Sequence, residues 1–367
     1  MRNNNRLWVI VGGVFISIII LLIFLKGDRV LEHQTYQFNM EPKPSFHSPS
    51  LILSASDVIN TDPIVDPKTE YTYTQMVEDL LALEKNYPGL VTTEVIGESV
   101  DGREIYAARL GYGETEIFIS AATHAREWIT TNLVMNQLDT YSQAFVENDM
   151  IDGYNVRKLL QNVSIYYVPM VNPDGVTLVQ KGTDALSNTE FLLELNDGDS
   201  DFSHWKANAR GVDLNRNYDT GWEHAHSDTG EPHSLNFKGY EPMSEPEVKA
   251  IVNFTKEHDF QLALSYHSSG EVLYWGDNLP SEVEDEAVRG AEAISEKTGY
   301  SIHSGSSGGM FSDWFAREFN APGLTPEVAP YAGPAPVSLE HYDRIWEQND
   351  SVGLLAAELI INRALEK

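Results

Sequence analysis

The chain has 367 residues, 42% of them hydrophobic, enough for a sizeable core in one large domain or two modest ones. It has no cysteine, which excludes disulfides, cysteine-ligated zinc and thiol catalysis and leaves only histidines and carboxylates for a metal site. A formal net charge of −30 repels phosphate backbones, so nucleic acid is not an expected partner.

Arg2 and Arg6 precede an apolar run from Leu7 to Leu25, interrupted only by Gly12, Gly13 and Ser17. As a helix this run would be about 29 Å long, the thickness of a bilayer core. No small-residue cleavage pattern follows at Leu25-Lys26-Gly27-Asp28, so residues 1–26 read as an uncleaved signal anchor, with a cleaved signal and a secreted form as the alternative. Placing Arg2 and Arg6 in the cytoplasm puts the remainder outside the cell membrane. Residues 27–69, rich in Ser, Pro, Asp and Thr, read as an extended stalk.

From residue 70 the pattern is globular. Met76, Val77, Leu80, Leu81 and Leu83 predict a helix over Thr74–Asn86, ended by Tyr87-Pro88-Gly89. Strands are predicted at Val91–Ile96, Ile105–Leu110, Ile117–Ala122, Val163–Met170, Leu262–Tyr266, Val272–Trp275 and Gly323–Thr325. Helical patterns fall at Ile129–Tyr141, Glu245–Glu257, Glu284–Lys297, Met310–Phe319 and Ser351–Arg363. Strands alternating with helices imply an α/β sheet covered on both faces.

His124 and Glu127 follow the strand Ile117–Ala122, His267 follows Leu262–Tyr266, and Glu327 follows Gly323–Thr325. Ligands of open α/β sheets gather beyond the carboxyl ends of strands, so one crevice would receive two imidazoles and two carboxylates. Two histidines and one glutamate leave a fourth tetrahedral position open, the arrangement of a catalytic zinc. Each residue alone is more often a satisfied core or surface group; it is the meeting of three strand ends that makes the cluster.

These residues resemble the zinc carboxypeptidases, whose pancreatic digestive members are best known. Thr123-His124-Ala125-Arg126-Glu127-Trp128 is similar to the segment with the first two zinc ligands, Ser265-Tyr266-His267-Ser268 to that with the third, and Thr325-Pro326-Glu327-Val328 to that of the catalytic glutamate. Val171-Asn172-Pro173-Asp174-Gly175 and Gly211-Val212-Asp213-Leu214-Asn215-Arg216-Asn217 extend the resemblance. It implies one zinc ion per chain and a single α/β/α domain over residues 70–367 with a mixed eight-stranded sheet. Glu327 would serve as general base, and Asp213 would orient the first zinc histidine. Asn215 and Arg216 would hold the substrate's terminal carboxylate, Arg through its planar fork. Outside the motif, Asp213 would read as a turn cap and Arg216 as a surface ion pair.

The departures concern substrate. Digestive members carry an Arg after a Trp to stabilise the oxyanion; here Trp205 precedes Lys206, the next Arg is Arg210, and either cation could serve, with Arg210 preferred. The family's mobile active-site tyrosine has no match in His303-Ser304-Gly305, and aligning on Asp313-Trp314 puts Ser312 at the floor of the side-chain pocket. His224, His226 and His233 read as solvated or cleft-lining histidines and not as a second metal site. The HExxH pattern is absent. Trp205-Lys206-Ala207-Asn208, His267-Ser268-Ser269-Gly270-Glu271 and Pro322-Gly323 are similar to the bacterial γ-D-glutamyl-L-diamino acid peptidases, implying murein stem peptides as substrate. A general carboxypeptidase releasing C-terminal L-residues, and an inactive peptide-binding module, are the alternatives.

Overall fold

A computed structural model describes Val58, residues 62–276 and residues 279–366. The expected anchor at residues 1–26 lies outside the described residues, as does most of the stalk. Among the described residues no helix is long and apolar enough to cross a membrane.

The strands are β1 (Val91–Glu98), β2 (Glu104–Leu110), β3 (Thr115–Ser120), β4 (Met150–Ile151), β5 (Tyr154–Asn155), β6 (Val163–Val168), β7 (Phe260–Ser265), β8 (His267–Ser268), β9 (Val272–Tyr274), β10 (Ser301–His303) and β11 (Gly323–Val328). The helices are α1 (Tyr73–Asn86), α2 (Ile129–Glu147), α3 (Val156–Leu160), α4 (Pro173–Lys181), α5 (Thr189–Leu195), α6 (Pro246–Lys256), α7 (Ser281–Thr298), α8 (Phe311–Phe319), α9 (Tyr342–Asn349) and α10 (Val352–Glu366).

The main sheet runs β1-β2-β6-β3-β7-β11-β9-β10, with β8 added beside β11; β4 and β5 form a separate hairpin. It is mixed, as expected: β6, β3, β7 and β11 are mutually parallel, while β1, β2 and β9 pair antiparallel. It has nine strands where eight were expected. The extra one arises because His267 and Ser268 pair with Glu327 and Val328.

Alternation explains the layering. In β3, Ile117 and Ile119 enter one apolar cluster and Phe118 enters the other, so both faces of the strand are buried. The first cluster takes Leu133 and Leu138 of α2, Val283 and Ile294 of α7 and Leu354 of α10. The second takes Val248 and Phe254 of α6 with Phe311, Trp314 and Phe315 of α8. Because β3, β7 and β11 run in one direction, their carboxyl ends open at the same edge.

Two expectations are corrected. Strand β11 continues through Val328, so Glu327 lies within a strand and is held by pairing on both sides. The stretch 62–69, expected as the end of an extended stalk, is docked on α2. Asp139 accepts the Ile64 and Val65 N–H groups at 2.7 and 2.9 Å, and the Asn132 amide donates to the carbonyls of Pro67 and Thr69.

Candidate metal centre

Beyond β3 the chain turns out of the sheet at Ala122, which adopts a left-handed φ of 49°. A single 3₁₀ turn, Ala125–Glu127, follows, with His124 at its N-cap. Residues three apart eclipse in such a turn, so His124 and Glu127 project together. His267 arrives from the short β8, one residue beyond β7. His124 Nδ1 lies 2.8 Å from one Glu127 oxygen, His267 Nδ1 lies 2.8 Å from the other, and the two Nδ1 atoms are 3.0 Å apart. All three side chains are buried.

This donor set fits zinc. A tetrahedral ion with bonds near 2.0–2.1 Å has ligand–ligand edges of about 3.3 Å, only a few tenths of an ångström wider than these spacings. The other nitrogen of each ring already has a partner, leaving Nδ1 for the metal. His124 Nε2 lies 3.2 Å from Asp213 Oδ1, and His267 Nε2 lies 3.4 Å from Ser265 Oγ, each an oxygen able to accept its proton.

The electrostatics are mutual. Burial would raise Glu127, but His124 and His267 outweigh it and hold its carboxyl far below the usual range. Asp213 is likewise held well down, against burial, by Lys206, His124 and Arg216. Burial lowers His124, yet Glu127 and Asp213 leave it raised; burial prevails at His267, which is lowered. Glu327 is pushed up to about 8 by burial and by the Glu127 carboxylate. A dication held by Glu127 works against that rise.

The cleft over the cluster has a volume of about 350 Å³ and is lined by His124, Lys206, Asn215, Tyr274, Met310 and Glu327, among others. Several expected substrate contacts are placed differently. Lys206 lines the cleft, whereas the preferred Arg210 is exposed and outside that lining, with its guanidinium 3.7 Å from Glu245. Arg216 is also outside the lining: its Nη1 donates to His226 O at 2.6 Å, and its Nε lies 3.5 Å from Asp213. Ser312 is buried under β11, so close that a Cβ on Gly323 would sit 2.4 Å from its carbonyl oxygen. Met310 and Thr325 line the cleft in its stead. Tyr274, in register with Thr325, was legible as a strand residue but not as a cleft wall. His224 and His226 line a neighbouring cavity, and His233 lies apart from it.

Residues 76–329 match the family model described as zinc carboxypeptidase. The gamma-D-glutamyl-L-diamino acid endopeptidase 1 of Lysinibacillus sphaericus is 34% identical over 304 residues, covering 81% of this chain and 74% of that protein. The uncharacterized protein YqgT of Bacillus subtilis (strain 168) is 30% identical over 267 residues, covering 71% of this chain and 70% of that one. A structure of bovine thrombin-activatable fibrinolysis inhibitor in complex with tick carboxypeptidase inhibitor superposes with a TM-score of 0.64 at 18% identity. It covers 81% of this chain and 99% of that one, a likeness of fold.

Proposed function

Since the chain belongs to the zinc carboxypeptidase family and is a zinc-dependent peptidase, we propose that its bond of choice joins γ-D-glutamate to a diamino acid in murein stem peptides. The observation that carries this reading is the 34% identity, over most of both chains, to an endopeptidase named for that bond. The cleft's hydrogen-bonding groups are consistent with it: beside Met310, the side chains of Asn215, Tyr274, Ser306, Ser307 and Thr325 line the space.

His124, Glu127 and His267 would hold the ion, and the chemistry supplied by zinc in that place is polarisation of a carbonyl and acidification of water. Glu327 takes the proton of the attacking water and delivers it to the leaving amine. Lys206 meets negative charge growing on the carbonyl oxygen, and Asp213 keeps both Lys206 and the His124 ring in place. Asn215 presents its amide to the leaving residue from beside His267.

The test is steady-state hydrolysis of L-Ala-γ-D-Glu-diaminopimelate beside blocked dipeptides ending in Phe or Leu. A higher kcat/KM for the dipeptides would leave a general carboxypeptidase. We further propose that residues 1–26 anchor the enzyme in the cell membrane with its catalytic domain outside, next to the wall. N-terminal sequencing of the membrane fraction checks this; a soluble form starting shortly after residue 26 counts against it.

A further inference from the structure

Glu271 ends the motif His267-Ser268-Ser269-Gly270-Glu271, which begins with a metal-binding histidine, yet it lies outside the lining of the metal cleft. Its surroundings place it at a crossing of the chain. Strand β8 pairs with β11 at His267 and Glu327, and β9 pairs with β11 at Val272 and Glu327. Strands β7, which β8 extends, and β9 lie on opposite sides of β11, so the chain crosses the end of β11 within Ser269-Gly270-Glu271. The N–H groups of Gly270 and Glu271 both donate to Ala329 O, at 2.9 and 3.0 Å, two residues past Glu327. Glu271 and Ala329 have left-handed φ values of 51° and 67°. Neither is glycine, so surrounding contacts must hold both conformations.

The contact at Glu271 is a two-pronged ion pair. Arg344 donates from Nε to Glu271 Oε1 at 2.6 Å and from Nη2 to Oε2 at 2.9 Å. Parallel donors fix the direction of a carboxylate as well as its distance. These hydrogen bonds hold the Glu271 carboxyl below its usual range. Arg344 stands on α9, and that helix is firmly seated. Ile345 is buried in the first apolar cluster, the Tyr342 hydroxyl joins Asn136 and Asn132 of α2, and Asn349 donates to the Tyr300 hydroxyl at 2.8 Å. From β10, Ser301 N–H donates to Glu271 O at 3.1 Å.

We infer that Glu271 and Arg344 are positioning residues: their pair pins the crossover, and the crossover sets where Glu327 stands relative to the metal ligand His267. Pairing holds Glu327 from both sides, and both of its partner strands are joined by this three-residue link. Displacing a general base by a fraction of an ångström slows proton transfer while leaving substrate contacts in place. The inference rests on Glu327 as the base and adds what aims it.

Arg344→Met and Glu271→Gln, both at partly exposed side chains, test it on the better hydrolysed of the stem peptide and the blocked dipeptides. Each is expected to keep zinc, lower kcat roughly five- to tenfold and leave KM within about twofold. Arg344→Lys keeps the charge without the fork and should fall between Arg344→Met and wild type. The deciding measurement repeats Arg344→Met in the Glu327→Gln background. With the base removed its position no longer matters, so the further loss should shrink to within about twofold. A full five- to tenfold loss in that background, a loss carried by KM or by zinc content, or unchanged kcat in both single variants would overturn the inference. Near-normal activity of Glu327→Gln by itself would instead overturn the base assignment on which it rests.

Discussion

Lys206 Nζ lies 3.6 Å from one Asp213 oxygen, and the other Asp213 oxygen lies 3.2 Å from Nε2 of His124. One buried carboxylate thus ties the cleft's cation to a metal-binding ring. Asp213 is itself fixed by the N–H groups of Asn215 and Asn236. The pairing positions Lys206 and keeps His124 in the tautomer that leaves Nδ1 for the metal.

Lys206→Met should therefore lower kcat by about 10²-fold, the usual cost of one lost donor to a developing oxyanion, with KM changed less. Arg210→Met should stay near wild type, because that guanidinium pairs with Glu245 at the surface. Steady-state kinetics on both variants decides between the two cations. A large loss in Arg210→Met alone would reverse the assignment.

Glu327→Gln should retain zinc and lose at least about 10²-fold in turnover, since a near-isosteric amide cannot take the proton. His267→Ala should lose the metal, as one of three protein ligands disappears. Metal content measured beside activity tests both. A glutamine variant of near-normal activity would remove Glu327 from its role.

The fold was readable where period and covering agree. Ile117–Ile119 read as a strand because both its faces are buried, and the helix Tyr73–Asn86 because Met76, Leu80 and Leu83 repeat along one side. The ligand set was readable because His124 and Glu127 are close in sequence and each cluster member leaves a strong apolar strand. Short elements such as His267–Ser268 and Ser301–His303 were not, since two or three residues carry no period. That Arg210 and Ser312 lie outside the cleft lining was not readable for a different reason. Where they sit depends on the Arg210–Glu245 pair and on the close packing of Ser312 against Gly323, contacts between segments apart in sequence.

Tyr274 lines the cleft together with Lys206, on a strand registered with Thr325, and its hydroxyl is raised by burial and by Glu327. It stays protonated at neutral pH and can donate to a substrate carbonyl or carboxylate. Tyr274→Phe should raise KM several-fold, about the worth of a hydrogen bond to a charged group, while kcat falls less. A kcat fall as large as that of Glu327→Gln would instead place Tyr274 in the chemical step.

Behind the site, the buried Asn208 amide donates to Glu245 Oε2 at 2.8 Å and to Glu247 Oε2 at 3.1 Å, while its oxygen accepts from Arg210 and Val212 N–H. Asn208 thereby clamps the loop between Lys206 and Asp213 to the start of α6. Glu247 is fully buried; burial first, then Asp174 and Glu245, push it up to about 7 from 4.5, against hydrogen bonds from its own N–H and that of Val100. The folded chain thus holds a proton that the unfolded chain has released between those values. The stability this contributes is complete below pH about 4.5 and is lost as pH rises through about 7, a change of roughly 3 kcal/mol for a shift of this size. Glu247→Gln cannot titrate, so its stability should vary less between pH 5 and pH 8 than wild type's. The variant should also be weaker at pH 5 by about 1–3 kcal/mol, because one face of the new amide meets the Val100 or Asn208 donor. Urea unfolding of both proteins at the two pH values measures the difference, and equal pH dependence would show that Glu247 is ionised in the folded chain.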